Sequence, residues 1–372
     1  MRYSIRGGAA VVGAGLALAA CDDTAERIAG SGGDPLAARV AEMGFDASTI
    51  RDAGDYLLVE GDVLLSKAAL RAGPPAGGRL RAPDGPRLQY ATDYLVADAY
   101  TIGVNFSQVS GESSAWATAV NQALSQWTNN APGARIQMLN TSVYTGVATN
   151  ITVQMGQCVY NAIACATFPT GNGAPGPSIT IDRDHGSLPS SQKLYTMVHE
   201  LGHTLGLRHT NWQARGEPQY SSDAQGANHI PGTPGPEGDA ASVMNGVIQT
   251  WNGFSYFDRV AARKLYPGGL GPRATGSLSG STPVITWPAM LDAVSYKVYF
   301  QETYYVSDWF GFLSTASTET YLGTTSGTSW TDPSRAYSSS PWVCVVPFQG
   351  YVVKAVFSDG TESGYGFYAC FT

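Results

Sequence analysis

The sequence predicts an α+β domain followed by an all-β sandwich. Three observations carry this reading. Residues 86–267 mix short strand patterns with two long helix patterns. The second of those helices leads into "HELGHTLGLRHT" (199–210), which holds three of the chain's five histidines. Residues 273–372 are rich in Ser, Thr and Tyr, alternate apolar with polar positions, and carry no helix signal.

The 372 residues are enough for two domains and additional segments. Apolar residues make up 43% and charged residues only 14%, a balance that suits an exported, β-rich protein. The formal charge of −7 argues against a nucleic-acid partner, because binding phosphates needs a basic surface. The N-terminus reads as a targeting segment: "MRYSIR" supplies two arginines and "GGAAVVGAGLALAA" is a short apolar stretch. Outside it no apolar run reaches the length of a membrane span. "LALAAC" (16–21) resembles the lipobox of bacterial lipoproteins. That resemblance implies removal of residues 1–20, acylation of Cys21, a lipid anchor and a place in the cell envelope, facing the periplasm or the surface. Simple cleavage with a chance cysteine is the other reading.

Residues 21–85 form a tether or propeptide-like segment that breaks into "RAGPPAGGRLRAPDGP" (71–86), a Pro/Gly-rich linker. "YPGGLGP" (266–272) is a second linker, before the sandwich. Without Cys21 four cysteines remain, an even number that suits an oxidising compartment. Pairing within each region gives disulfides Cys158–Cys165 and Cys344–Cys370. No CxxC spacing supports a zinc site made of cysteines.

Within 86–267, "YTIGVNFS" (100–107), "ARIQMLN" (134–140), "NITVQMG" (150–156) and "PSITIDR" (177–183) read as strands of a mixed, twisted sheet. "ESSAWATAVNQALSQWTN" (112–129) reads as a helix with Trp116, Val120, Leu124 and Trp127 on one face, capped by Ser113 or Ser114. "SSQKLYTMVHELGHTLGL" (190–207) is the active-site helix, with Ser190 or Ser191 as cap and Leu194, Val198, Leu201 and Leu205 as buried stripe. "FSYFDRVAARKLYP" (254–267) closes the domain as a further helix.

Four residues apart on a helix, His199 and His203 share one face. Their imidazoles can meet one zinc ion at about 2.0–2.1 Å. Gly206 lets the chain leave the helix in a left-handed conformation, which returns His209 as third ligand. Three protein ligands leave a fourth position open, the catalytic arrangement. Glu200, beside that position, is placed to act as general base for a water activated by the metal and to pass its proton to the leaving amine.

The spacing HExxHxxGxxH is that of the metzincin zinc peptidases. The resemblance implies a methionine turn under the metal, and "ASVMNG" (241–246) supplies Met244, with Ser242 before it. Taken together, "HELGHTLGLRHT", "ANHIPGTP" and "SVMN" resemble the bacterial dual-action HEIGH metallopeptidases, relatives of the astacins, over most of residues 40–267. Two departures from astacins matter. Thr210 follows the third histidine where astacins carry Glu. Gly246 stands where astacins place a tyrosine that ligates zinc and steadies the oxyanion, which leaves the metal as main electrophile unless Tyr256 or another tyrosine reaches in. His185 reads as a surface residue and His229 as a residue of the segment before the methionine turn, not a ligand. The sandwich resembles fibronectin type III domains at Trp287, Tyr296, Tyr299 and "YVVKAVFSDG" (351–360), a weak pattern that leaves a generic β-sandwich open.

"DYLLVEGDVLL" (55–65) reads as a hairpin turning at Gly61-Asp62, or as a strand with a solvated interruption. Astacin propeptides carry a similar "EGD" segment, and the resemblance implies Asp62 as a ligand that fills the fourth zinc position and silences the enzyme until the linker is cut. The alternative is a spacer between enzyme and membrane. The leading function is therefore a zinc endopeptidase acting on protein or peptide substrates, with one catalytic Zn2+. Its rivals are a surface adhesin with a degenerate zinc domain, whose sandwich binds protein or polysaccharide, and a zinc hydrolase of other bonds.

Overall fold

Short β-branched runs bounded by Gly, Pro and Asn pair into one large sheet, and two longer amphipathic patterns supply the helices that cover it. The computed structural model describes residues 35–42, 50–59, 61–72, 89–92, 94–158, 162–169, 172–210, 228–233, 239–307, 313–337 and 348–371. The signal segment and the acylation site Cys21 lie outside them.

The described chain begins with α1 (Pro35–Glu42), β1 (Arg51–Ala53), β2 (Tyr56–Val59), β3 (Val63–Ser66) and α2 (Lys67–Ala72). After the linker come β4 (Tyr90–Ala91), β5 (Ile102–Asn105), α3 (Ser107–Glu112), α4 (Ser114–Asn129) and β6 (Met138–Asn140). There follow β7 (Thr149–Gly156), β8 (Ala164–Thr167), β9 (Ser178–Asp182), α5 (Ser190–Thr204), β10 (Asn228–His229) and α6 (Tyr256–Leu265).

The eight-stranded sheet runs in the order β1-β2-β3-β8-β9-β7-β5-β6. On β7, Ile151, Val153 and Met155 point into the core and the residues between them point out. Residues 51–66 are part of this sheet rather than a separate tether. β2 and β3 form the hairpin, Val59 opposite Val63, with Gly61 at φ +94° in the turn. β3 then pairs parallel with β8, Val63 with Ala166 and Leu64 with Thr167. Leu57, Val59, Val63 and Leu65 pack with Leu36, Val40, Ile50 and Phe168 in a small apolar cluster of their own. The hairpin is thus anchored by backbone pairing on one side and apolar burial on the other.

Helix α4 starts as the sequence expects: the Ser113 hydroxyl accepts from the Trp116 amide at 3.4 Å, and Trp116, Val120, Leu124 and Trp127 are all buried. The Trp127 indole donates to the Val198 carbonyl at 2.9 Å and ties α4 to α5. On α5 the cap differs from expectation. Neither Ser190 nor Ser191 caps it; the Pro189 carbonyl accepts from the amides of Gln192 and Lys193, so the cap position falls on a residue with no side-chain acceptor. The buried stripe is also wider than expected. Val198, Leu201 and Leu205 are buried and Leu194 half-buried, but every residue from Tyr195 to Thr204 is buried, because α5 runs through the middle of the core.

α6 opens with a capping box between Ser255 and Asp258. It links to the C-terminal region through buried charge. Arg263, fully buried, donates to Asp359 at 2.7 Å and to Asp292 at 3.2 Å, and Arg259 bonds Asp292 with two nitrogens at 2.7 and 2.9 Å. The C-terminal strands are β11 (Thr275–Ser279), β12 (Thr282–Thr286), β13 (Ala293–Ser307), β14 (Leu313–Thr325), β15 (Ser329–Thr331), β16 (Phe348–Phe357) and β17 (Ala369–Phe371). They form a three-stranded sheet, β11-β12-β15, and a four-stranded sheet, β14-β13-β16-β17. Ile285 and Trp287 from one side meet Tyr296, Val298, Phe300 and Tyr351 from the other in one core, while Tyr299 stays half-buried on the outer face.

Cys158 and Cys165 form the expected disulfide, which closes the loop between β7 and β8. Cys370 is disulfide-bonded, and its expected partner Cys344 lies outside the described residues. No helix among the described residues is long and apolar enough to cross a membrane.

Candidate metal centre

The histidine motif assembles as the spacing requires. The Nε2 atoms of His199 and His203 lie 3.0 Å apart on α5. The helix ends where Gly206 takes φ +94°, and the Gly206 and Leu207 amides turn back to the carbonyls of His203 and Gly202. This turn delivers His209, whose Nε2 lies 3.1 Å from that of His199. From the β2–β3 turn the Asp62 carboxylate completes the group, its oxygens 3.1 Å from His209, 3.5 Å from His199 and 3.8 Å from His203. The four residues are the one cluster of metal-ligand type found among the described residues.

The donor set fits a cation. His199 Nδ1 lies 2.7 Å from the Val243 carbonyl and His203 Nδ1 2.8 Å from the Leu207 carbonyl. A carbonyl cannot donate, so both Nδ1 atoms carry the proton and both Nε2 atoms present lone pairs. Two such lone pairs 3.0 Å apart repel unless a positive ion lies between them. Four ligand atoms about 2.0–2.1 Å from one zinc stand about 3.3 Å apart, near the spacings seen here. The carbonyl acceptors behind the two rings hold their orientation, the usual arrangement behind metal-binding histidines. Burial holds the His203 imidazole well below its ordinary pKa, which keeps it in the neutral, ligating form. Burial works to raise the Asp62 carboxyl, but its place against His209, His199 and His203 outweighs this and holds it well below the usual carboxylate range.

Glu200 is buried beside this cluster. Burial pushes its carboxyl well above the usual carboxylate range, and the Asp62 charge pushes it further. Its Oε2 makes no hydrogen bond among the described residues. A buried carboxyl oxygen left free next to a metal-ligand cluster is suited to proton transfer rather than to structure.

Met244 is buried and packs its sulfur against Gly202 in the middle of α5, next to the ligand His203 in sequence. A Cβ added to Gly202, in the middle of α5, would sit 2.5 Å from the Met244 sulfur. On either side of the methionine the loop touches the ligands' own segments: the Val243 carbonyl accepts from His199, and the Met244 carbonyl from the Thr210 amide at 2.9 Å. Gly202→Ala is therefore expected to destabilise the fold by about 1–3 kcal/mol through overpacking and to loosen zinc retention. Thermal melting with and without zinc checks this; unchanged melting would show that Met244 repacks freely.

The remaining candidate histidines and tyrosines have partners of their own. His185 sits in a short 3-10 turn, 3.7 Å from Asp182, and His229 on β10 beside Thr233. Neither joins the cluster. The Tyr256 hydroxyl bonds Ser358 at 2.8 Å, on the side of the C-terminal sheets. Tyr195 packs against His199 with ring centroids 6.1 Å apart, but its hydroxyl donates to the Asn245 carbonyl at 3.0 Å. Thr210 is buried, its hydroxyl unpartnered among the described residues.

Sequence reasoning missed Gly202, the Val243 and Leu207 carbonyls, and Asp258. A signal existed for Gly202, since a glycine inside a helix costs about 1 kcal/mol against alanine and marks a packing demand. The carbonyls carry no sequence signal. The Ser255-x-x-Asp258 spacing carries a signal for a helix cap alone, yet Asp258 is buried and accepts from Ser242 Oγ at 2.5 Å and the Val243 amide at 2.9 Å. Burial pushes its carboxyl up to about 6 against these hydrogen bonds, which work to lower it.

Among solved structures the chain is similar to myroilysin at 15% identity, over 52% of this chain and 100% of that one, with a TM-score of 0.31. An Fn3-like protein from Clostridium thermocellum matches at 27% identity over 28% of this chain and 88% of that one, with a TM-score of 0.18. Catalytically inactive OgpA from Akkermansia muciniphila, in complex with an O-glycopeptide substrate, matches at 9% identity over 78% and 94%, with a TM-score of 0.20. No curated protein matches the chain. The family model described as dual-action HEIGH metallo-peptidase matches residues 57–266, more than half of the chain and the whole stretch from the β2–β3 hairpin to the end of α6. The chain belongs to the dual-action HEIGH metallo-peptidase family.

Proposed function

We propose that this chain is a metzincin-type zinc endopeptidase, exported and made in a latent state. The observation that carries the reading is the convergence of three imidazole Nε2 atoms, two with Nδ1 committed to carbonyls, beside a buried glutamate. Zinc bound there supplies a Lewis acid for the scissile carbonyl and, by lowering the pKa of water, a nucleophile at neutral pH.

The protein's own residues do the rest. His199, His203 and His209 hold the ion. Glu200, buried next to the ligand His199, takes a proton from the attacking water and returns it to the leaving amine. Gly246 stands at the astacin tyrosine position and offers no side chain for an oxyanion, so that stabilisation would have to come from the metal held by the three histidines. Asp62 lies close enough to the three imidazoles to be a fourth ligand, and held there it would take the place of the water, which is the proposed latent state. The Cys158–Cys165 disulfide suits export to an oxidising envelope, in keeping with the lipobox at Cys21. The C-terminal sheets, read as a fibronectin type III-like module, are proposed to bind protein or polysaccharide.

Metal analysis tests the site. The purified chain is expected to hold about one zinc, and His203→Ala to lose it, with loss of any cleavage of a casein-like substrate; zinc retained in that variant would overturn the site as drawn.

A further inference from the structure

Behind the metal ligands lies a buried hydrogen-bonded hub that the reaction itself does not use. Asp258, in the first turn of α6, is almost fully buried. Its Oδ1 accepts from Ser242 Oγ at 2.5 Å and from the Gln89 side-chain amide at 3.1 Å. Its Oδ2 accepts from the amides of Val243 at 2.9 Å and Ser255 at 3.0 Å. Ser242 Oγ in turn accepts from the Met244 amide at 3.0 Å. One carboxylate thus fixes the loop immediately before Met244 at two successive residues.

The loop it fixes is not passive. The Val243 carbonyl is the acceptor for His199 Nδ1 at 2.7 Å. The amide and carbonyl of Val243 therefore link Asp258 on one side to a ligand imidazole on the other. Where that carbonyl sits decides which His199 nitrogen keeps the proton and where Nε2 points. A capping role alone would account for only the Ser255 bond. The other three bonds reach the methionine-turn segment and the chain just after the linker, far from the helix end in sequence.

We propose that Asp258 is a positioning residue for the metal centre: through Val243 it sets the tautomer and aim of His199, with Ser242 as its partner. The inference rests on the reading of His199, His203 and His209 as metal ligands. It places Asp258 outside the residues that touch substrate. Gln89 extends the hub to the point where the chain leaves the linker, so both the N-terminal entry of the catalytic domain and its closing helix bear on one ligand.

The test uses the full chain. Asp258→Asn keeps the shape but puts an amide where two backbone N–H groups need acceptors. Zinc affinity by chelator competition is expected to fall at least tenfold, and the visible spectrum of the cobalt-loaded protein to change. Val104→Ala, a core variant on β5 far from the hub in sequence, supplies the control for lost stability; its zinc affinity is expected to stay within twofold. Zinc affinity within twofold and an unchanged cobalt spectrum in Asp258→Asn would overturn the proposal, as would an equal fall in the control. Should Asp258→Asn fail to fold, Ser242→Ala decides, with a smaller fall of about threefold supporting the proposal and no change overturning it. An unchanged protein that binds no zinc removes the metal reading itself, a different result from binding that ignores Asp258.

Discussion

Replacing Glu200 with alanine is expected to lower peptide hydrolysis by about 10²–10⁴-fold, the range over which a positioned general base acts, while zinc content stays the same. The two readouts separate because Glu200 is not a member of the cluster formed by Asp62, His199, His203 and His209. Its carboxyl is buried, with one oxygen unpartnered among the described residues, so truncation removes no hydrogen bond from that oxygen. The variant should fold at least as well as the unchanged chain, since a buried carboxyl with an unpartnered oxygen costs stability. Linker-cleaved protein and its Glu200→Ala form, compared on a casein-like substrate, give the measurement. Full activity in the variant would sink the peptidase mechanism. Absence of cleavage in both forms, with zinc bound, would favour a binding protein whose hydrolase domain has decayed. Hydrolysis of other bonds but not peptides would favour the third reading.

The second large effect concerns Asp62. Asp62→Ala in the full-length chain is expected to raise turnover of a short peptide by on the order of tenfold or more, where tenfold corresponds to about 1.4 kcal/mol. The carboxylate lies 3.1–3.8 Å from all three imidazoles, so its removal frees one ligand position. The hairpin around it stays, because Leu57, Val59, Val63 and Leu65 remain packed and β3 remains paired with β8. A bulky protein substrate must still pass that hairpin, and its turnover is expected to rise much less than that of the peptide. Equal activity of the variant and the unchanged chain on the short peptide would show that Asp62 is not the latch.

Much of the centre could be read from the chain because its logic is local. His199 and His203 need only helical spacing, and His209 needs only one glycine able to reach φ +94°. Asp62 was reachable only by resemblance, since nothing in "VEGDV" itself points 140 residues downstream. The sheet shows the same limit. A four-residue apolar run such as β3 identifies a strand but not its partner. That β3 pairs in parallel with β8, across about a hundred residues, follows from the closure of the whole domain. The cap of α5 failed for a smaller reason. Two serines stood at the expected place, but the preceding proline already gave the extended geometry and the carbonyl that the helix start needs.

The anchoring of the β2–β3 hairpin has a consequence for the timing of activation. A cut between α2 and β4 severs the chain and leaves in place the hairpin contacts formed by the described residues. If Asp62 is the latch, the immediate product is a nicked, two-piece complex in which the former N-terminal piece acts as an inhibitor in trans. On that reading its off-rate, rather than the cut, is expected to set when activity appears. Progress curves should show a lag that outlasts cleavage on a gel, and dilution should promote the final activity by preventing rebinding. A lipid anchor on the departing piece would hold the inhibitor at the membrane while the peptidase diffuses away from it.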